Sequence, residues 1–314
     1  MENYGTAIVL QSTGSWYRLR DDTGRSFDAR IRGRLRLSGT RSTNPVVVGD
    51  RVDYENDPQT EAVITAVHPR RNYIIRRASN LSKESQIIAA NIDHALLVAT
   101  LFAPETSYEF IDRFLVTCEA YDIPATVVLN KRDLIAQQPG AAEAFAAFLE
   151  TYALAGYPVV PVSAVTGEGM DRLQEMIVGQ TSLFAGNSGV GKSSLIRELE
   201  PTAEVRTAEV SHAHHKGRHT TTFSQMIPLT GPAGGYIMDT PGIKGFGLIE
   251  IDLCELFHYF PEMMRTAPGC QYYNCTHRHE PGCAVQQAVE RGEISENRYI
   301  SYLKIFEEDG KYRK

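Results

Sequence analysis

The chain has 314 residues, 42% apolar and 22% charged, with a formal net charge of −6 and five cysteines. That length expects two or three domains. No apolar stretch exceeds the length of a strand, so no membrane-spanning helix is expected, and internal repeats and long low-complexity tracts are absent. The first residues, Met1-Glu2-Asn3-Tyr4-Gly5, carry no apolar signal core, which points to the cytoplasm.

Residues 1 to about 72 are expected to form a small barrel. The runs Thr6 to Leu10, Ser15 to Leu19 and Val46 to Val48 are short and β-rich, and turn signals (Thr13-Gly14, Asp22-Thr23-Gly24, Gly49-Asp50) separate them. An OB-fold suits this length and often binds oligonucleotides; a purely structural barrel is the alternative. Charge is uneven. Residues 1–80 hold thirteen arginines against nine acidic residues, a local balance of +4 in a chain of −6. Arg30, Arg32, Arg34 and Arg36 alternate, so one strand would show all four on one face. Arg70, Arg71, Arg76 and Arg77 come next. Such a stripe suits a phosphate backbone or is simply a solvated face. The acidic total does not oppose nucleic-acid contact, because charge acts locally.

From about Asn91 onward strands alternate with helices, the pattern of a mostly parallel sheet covered on both faces. A strand is expected over Ala95 to Thr100 and a helix over Tyr108 to Ala120, whose apolar positions include Cys118. The strand Ile123 to Leu129 then delivers Asn130-Lys131-Arg132-Asp133 at its carboxyl end, where open α/β sheets bind ligands. This N-K-x-D run suits guanine. Asp133 would accept from guanine N1–H and the 2-amino group, neither of which adenine offers. Lys131 would lie along the base, and Asn130 would tie the loop to a phosphate loop or touch the base. The alternative is a solvated turn. A crossover helix over Ala141 to Ala153 leads to a strand over Pro158 to Val162 and to Ser163-Ala164, a pair able to present a backbone N–H to guanine O6.

The strand Thr181 to Ala185 ends in Gly186-Asn187-Ser188-Gly189-Val190-Gly191-Lys192-Ser193, which matches G-x-x-x-x-G-K-S/T, and a helix opens near Ser194. Glycines let successive N–H groups wrap around phosphate. Lys192 would reach the β- and γ-phosphates, and Ser193 would hold Mg²⁺. The base-reading motif precedes the phosphate loop; most GTPases have the reverse order.

Further on, the strand Tyr236 to Met238 leads to Asp239-Thr240-Pro241-Gly242. Asp239 would hold Mg²⁺ through water, and the Gly242 N–H would touch the γ-phosphate. Between the two motifs lies the histidine-rich run Ser211 to Thr222. Thr221 is the expected switch threonine over Mg²⁺, with Thr222 the lesser choice; metal binding by the histidines is the alternative. Ile243 stands where many GTPases carry a water-orienting glutamine. His219 is the candidate for that role, against a purely structural role in the switch, and slow intrinsic turnover is expected.

Cys270, Cys275, His277 and Cys283 cluster among Pro268, Gly269, Pro281 and Gly282. Three thiolates and an imidazole make a closed tetrahedral site for one structural zinc. His279 is an alternative ligand, and a disulfide reading would leave an odd thiol. Helices over Ala284 to Arg291 and Glu296 to Glu308 come after it, with Tyr299, Tyr302 and Phe306 expected to pack this region.

Together these motifs resemble the RsgA (YjeQ) family of circularly permuted bacterial GTPases. The resemblance spans nearly the whole chain and rests on Gly186 to Leu195, Gly217 to Thr222, Asp239 to Gly242 and the cysteine cluster. It implies an α/β protein: an N-terminal OB-fold β-barrel over 1–72, a circularly permuted P-loop GTPase domain over 73–250 and a zinc-binding, mainly helical domain over 251–314. It implies GTP hydrolysis in late small-subunit maturation, stimulated by the 30S subunit, with 16S rRNA and GTP/GDP as partners and no membrane. A cytoplasmic monomer is expected. The implied GTP-binding residues are Asn130, Lys131, Arg132, Asp133, Ser163, Ala164, the loop Gly186, Asn187, Ser188, Gly189, Val190, Gly191, Lys192, Ser193 and Ser194, with Thr221 and Gly242. Mg²⁺ would be held through Ser193, Thr221 and Asp239, and the proposed catalytic histidine falls on His219. The pattern favours His277 over His279 at the zinc. Two rivals are a metabolic P-loop kinase, which needs no N-K-x-D, and an RNA-binding scaffold with a relic nucleotide site.

Overall fold

The computed structural model describes residues 4–14, 16–31, 45–56, 61–77, 85–203, 224–240 and 251–312. In chain order it contains β1 (Tyr4–Ser12), β2 (Tyr17–Asp21), β3 (Ser26–Ile31), β4 (Arg51–Glu55), β5 (Ala62–Val67), β6 (Tyr73–Arg77), β7 (Ser85–Ala90) and β8 (His94–Ala99). Then come α1 (Tyr108–Ala120), β9 (Ala125–Leu129), α2 (Ala141–Ala155), β10 (Val159–Pro161), α3 (Met170–Ile177), β11 (Thr181–Gly186) and α4 (Lys192–Leu199). The last elements are β12 (Gln225–Pro228), β13 (Tyr236–Asp239), α5 (Pro261–Thr266), α6 (Ala284–Glu290) and α7 (Glu296–Tyr312). The described parts of 1–94, 174–185 and 192–245 form one compact unit; those of 95–173, 186–191 and 246–314 form a second.

The first unit opens with a barrel. β2 pairs with β1 and β3, β3 runs parallel to β5, β5 pairs with β4, and β4 returns to β1. This closed five-strand order is that of an OB-fold, as expected. Alternation builds it: Tyr17 and Leu19 of β2 point inward while Arg18 is exposed. Ala7, Val9, Leu19, Ala29, Val52 and Ile64 are fully excluded from water and form the barrel core. The run Val46 to Val48 was expected to be a strand and is instead a buried turn. Its three side chains leave water, and the Asp50 carboxylate accepts the Val47 N–H at 2.8 Å. Three adjacent valines signal burial as well as β structure, and here burial alone is realised. Gly49 explains the turn: its φ is +88°, and a Cβ would collide with the Ala90 carbonyl and Met238. Of the arginine stripe, Arg30 lies on β3; Arg32, Arg34 and Arg36 lie outside the described residues. The unit also contains β11 parallel to β13, and β12 antiparallel to β13.

The second unit holds the parallel strands β8, β9 and β10. α1 spans the residues expected of it. The Ser107 side chain caps it by accepting the Phe110 N–H, and Cys118 is buried as expected. α2 ends at Gly156, whose φ of +95° suits the left-handed stop. The C-terminal segment packs Leu256, Phe260, Met263, Tyr302 and Ile305 around Val116 of α1, with Tyr299 and Phe306 at the margin. Among the described residues no helix is long and apolar enough to cross a membrane.

Candidate nucleotide and metal sites

In the second unit, three loops at the carboxyl ends of the strands are held together by one buried side chain. Asn130 comes directly after β9 and is 4% exposed. Its amide nitrogen donates to the Val190 carbonyl at 2.8 Å, and its oxygen accepts the Ala164 N–H at 3.2 Å. The next residue, Lys131, takes a left-handed φ of +63°. Its Nζ donates to the Gly189 carbonyl at 2.8 Å and also to that of Ala103. Residues some sixty positions apart therefore meet: the base-reading motif, Ser163-Ala164 and the stretch Gly186–Gly191. Glycine is needed at 186 and 191. Both have positive φ, and a Cβ would meet the Val98 carbonyl at 2.6 Å in the first case and the Asn130 amide in the second.

The carboxylate of Asp133 has a fixed orientation. Its Oδ1 accepts the Ser163 hydroxyl at 2.6 Å. Ser163 is fully buried, and its oxygen in turn receives the N–H groups of Val165 at 3.3 Å and Thr166 at 3.1 Å. The serine proton is thereby committed to Asp133. Arg132 braces the same loop: its N–H donates to the Val162 carbonyl at 3.0 Å, and its guanidinium sits 4.7 Å over the Phe145 ring.

The first unit carries the charged part of the phosphate motif. Lys192 opens α4, two residues earlier than expected, with Ser193 and Ser194 in its first turn. Lys192 Nζ donates to Asp239 Oδ1 and, at 2.5 Å, to the Thr240 carbonyl. β11 and β13 place the aspartate there by pairing Phe184 with Asp239, and the Thr240 hydroxyl donates to the Phe184 carbonyl at 3.1 Å. A lysine, a serine hydroxyl and a carboxylate suit phosphate oxygens and a hard cation such as Mg²⁺. His219, Thr221, Thr222 and Gly242 lie outside the described residues.

Cys270, Cys275, His277 and Cys283 converge, with their ligand atoms all within 4.8 Å of one another. Cys270 Sγ and Cys283 Sγ each lie 3.5 Å from His277 Nδ1. A tetrahedral ion about 2.3 Å from sulfur and 2.0–2.1 Å from nitrogen sets such neighbours roughly 3.5–3.8 Å apart, so the residues fit one metal ion. His277 is buried with Nδ1 aimed at the thiols, whereas His279 is exposed. Backbone N–H groups of Ala284 and Gln286 point at Cys270 and Cys283 sulfur at 3.3 and 3.5 Å. Burial pushes the Cys275 thiol up to about 12 and the Cys283 thiol upward, while it lowers His277. The loop hangs on Glu280. Burial opposes its charge, but the Thr276 hydroxyl and the N–H groups of Thr276 and Arg278 hold its carboxyl well below the usual range.

One group at the root of this region went unread in the sequence. Arg298 of α7 has no exposed surface. It donates to Asp112 of α1 at 2.7 Å and to both carboxylate oxygens of Glu262 on α5 at 2.7 and 3.1 Å, below the Phe260 ring at 4.6 Å. Tyr152 of α2 donates to the same Asp112 oxygen at 3.2 Å. Burial disfavours the guanidinium charge, but the two carboxylates outweigh it and keep Arg298 cationic. The ends of α2 and α5 also touch, Arg265 donating to the Leu154 carbonyl at 3.3 Å.

Family models described as the RsgA N-terminal domain and the RsgA GTPase match residues 6–64 and 67–249. A small ribosomal subunit biogenesis GTPase RsgA from Bacteroides fragilis (strain YCH46) is 51% identical over 308 residues, covering 98% of each chain. Its counterpart from Porphyromonas gingivalis (strain W83) is 52% identical over 310 residues, also with 98% of each chain covered. Among solved structures, YjeQ from Thermotoga maritima superposes with a TM-score of 0.77 at 35% identity, covering 97% of this chain and 98% of that one. YloQ, a circularly permuted GTPase, gives 0.72 at 27% identity over 99% and 96%.

Proposed function

The chain belongs to the RsgA GTPase family, and from that premise we propose that it binds the 30S ribosomal subunit and hydrolyses GTP late in that subunit's maturation. The observation that carries the nucleotide reading is the pair of bonds from Asn130 to Val190 and Ala164, with Lys131 on Gly189. They support a base-reading loop built against a phosphate loop that comes later in the chain.

In this reading Asp133, set by Ser163, takes the N1–H and 2-amino group of guanine, and the Ala164 region meets guanine O6. Lys131 and Arg132 flank the base. The amides of Gly186 to Gly191 surround the phosphates, Lys192 neutralises them, and Ser194 continues the helix opening. Ser193 and Asp239, with Thr221, would hold Mg²⁺, which supplies charge neutralisation on the β- and γ-phosphates when bound. Gly242 senses the γ-phosphate. His219 orients the attacking water, a role left open by Ile243 where other GTPases carry glutamine. The cysteine–histidine cluster holds one structural zinc, since four protein ligands leave no position for water. The barrel over 1–72 contacts 16S rRNA, residues 73–250 form the GTPase domain, and 251–314 form the zinc domain. The protein acts as a cytoplasmic monomer.

The test is GTP hydrolysis by the intact protein with and without purified 30S subunits, repeated for His219→Ala. Stimulation by the subunit, lost in the variant, is the expected result. No stimulation removes the ribosomal assignment, and full stimulated activity in the variant removes His219.

A further inference from the structure

The barrel carries an aromatic group whose placement the nucleotide chemistry does not use. Trp16 is the chain's single tryptophan and is 42% exposed. It directly precedes β2: the Thr13 N–H and hydroxyl both donate to the Trp16 carbonyl, at 2.9 and 3.2 Å, and the Tyr17 hydroxyl reaches the Gly14 carbonyl at 3.2 Å. The backbone bearing the indole is therefore set before any partner arrives. On the adjacent strand, the Arg30 guanidinium lies 4.4 Å over the indole, and Glu61 holds it there through Nε at 2.5 Å.

The register shows what else shares this face. β2 and β3 pair Tyr17 with Ala29, Arg18 with Asp28 and Arg20 with Ser26. Tyr17, Leu19 and Ala29 point into the core, so Arg18, Arg20, Ser26, Asp28 and Arg30 point outward beside Trp16. Asp28 answers Arg18 at 2.8 Å, and Asp21 and Asp22 lie at the far end, where Asp21 ties the turn and Asp22 pairs with Arg51. The Arg18 and Arg30 pairs are solvent-exposed, with side-chain exposures of 45% and 55% for the arginines. Exposed pairs of this kind contribute little, so Arg18 can turn to a phosphate while Arg30 stays over the indole. The outer β2–β3 face of a five-stranded OB barrel is the face on which such barrels take oligonucleotides.

We propose that Trp16 is a stacking platform for one unpaired RNA base, backed by Arg30 and flanked by Arg18 and Arg20 on the neighbouring phosphates. A surface packing role for Trp16 would bury the ring, whereas here one face is covered by a cation and much of the indole stays in water. The occupant is argued from charge and the aromatic plane together: Arg18, Arg20 and Arg30 outnumber Asp28 and Glu61 on this face, beside an indole, which matches a base with its flanking phosphates. This inference rests on the reading that the barrel meets ribosomal RNA, and narrows it to unpaired rather than duplex RNA at this face.

Because no other tryptophan is present, the intrinsic emission of the intact protein reports on this one ring. The protein is titrated with an unstructured oligoribonucleotide of about ten residues and with an RNA duplex of equal length. The single strand quenches the emission and the duplex does not. By anisotropy of the labelled single strand, Trp16→Ala weakens binding roughly fivefold to 150-fold, and Trp16→Phe, which keeps a ring, loses less. Binding of the oligonucleotide without quenching, equal quenching by the duplex, or a Trp16→Ala loss below about twofold overturns the proposal. So does an emission change with 30S subunits but not with the oligonucleotide. If wild-type protein neither binds nor responds to 30S subunits, the ribosomal reading itself fails. If it does both, and Trp16→Ala does so equally well, only the stacking platform falls.

Discussion

Asp133→Asn is the substitution whose outcome the geometry fixes most closely. Ser163 Oγ already receives two backbone N–H groups, so its own proton is aimed at residue 133, now at 2.6 Å from Oδ1. An amide at this position must turn its carbonyl oxygen toward Ser163 to keep that bond. Its NH₂ then occupies the place of the outer carboxylate oxygen and faces the base. Against guanine, two charge-assisted acceptor contacts are lost and a donor meets a donor. At about 1.5–3 kcal/mol for each hydrogen bond to a charged group, the loss is about 3–6 kcal/mol, or roughly two to four orders of magnitude in GDP affinity. Xanthine, which has a carbonyl at C2, presents an acceptor to the same NH₂ and gains. Competition of GDP, xanthosine diphosphate and ADP against a fluorescent nucleotide measures all three. A GDP affinity within about tenfold of wild type, or no gain for xanthine, would refute the orientation argument.

Arg298→Met leaves Asp112 and Glu262 buried without their cation, and stability should fall by about 3–5 kcal/mol, read as a drop in denaturant midpoint; a change below about 1 kcal/mol contradicts the ion-pair account. Replacing all three with apolar residues should recover much of that loss. If the cluster holds the proposed zinc, elemental analysis should find about one ion per wild-type chain and a clear loss in Cys275→Ser. In the wild type, loading should weaken as pH falls, because burial keeps the Cys275 thiol protonated up to about 12 and metal must displace that proton. Glu200 tests the folded state alone. Burial raises its pKa, but the hydroxyl and N–H groups of Thr202 and Thr230 outweigh this and lower it. Its folded value lies below its unfolded one, so its stabilisation is present above the unfolded carboxylate range and vanishes as pH drops through the folded value. Glu200→Gln should flatten the acid limb of a stability profile, and an unchanged limb contradicts the assignment.

Much of this protein was legible because its motifs sit at junctions that local chemistry dictates. The run Thr126-Val127-Val128-Leu129, followed by no turn glycine, reads as a buried strand, and the residues directly after it fall at the sheet's ligand edge. The glycines at 186 and 191 announce backbone that approaches other atoms closely, and the structure names the atoms, the Val98 carbonyl and the Asn130 amide. Four ligand-type side chains within fourteen residues likewise imply convergence.

The features that escaped the sequence depend on distance or on brevity. Arg298 reads as one more polar residue on an amphipathic helix. Its partner Asp112 is 186 positions away, and nothing local marks either as buried. β12 is four residues long and carries no alternation to detect. Val46 to Val48 has the composition of a strand but lies between Pro45 and Gly49, so the chain turns while its side chains still leave water. Ser163 was read as part of a pair offering a backbone N–H; that its hydroxyl aims Asp133 required coordinates.

The proposed function requires that one guanine nucleotide be read at its base by Asp133 and neutralised at its phosphates by Lys192. A crystal structure of the protein with GDP and Mg²⁺ tests it most directly. The expected result is guanine N1 and the 2-amino nitrogen each about 3 Å from the Asp133 carboxylate, with the β-phosphate against Lys192 and the Gly186 to Gly191 amides. A base bound away from Asp133, with the phosphates still on Lys192, would contradict it.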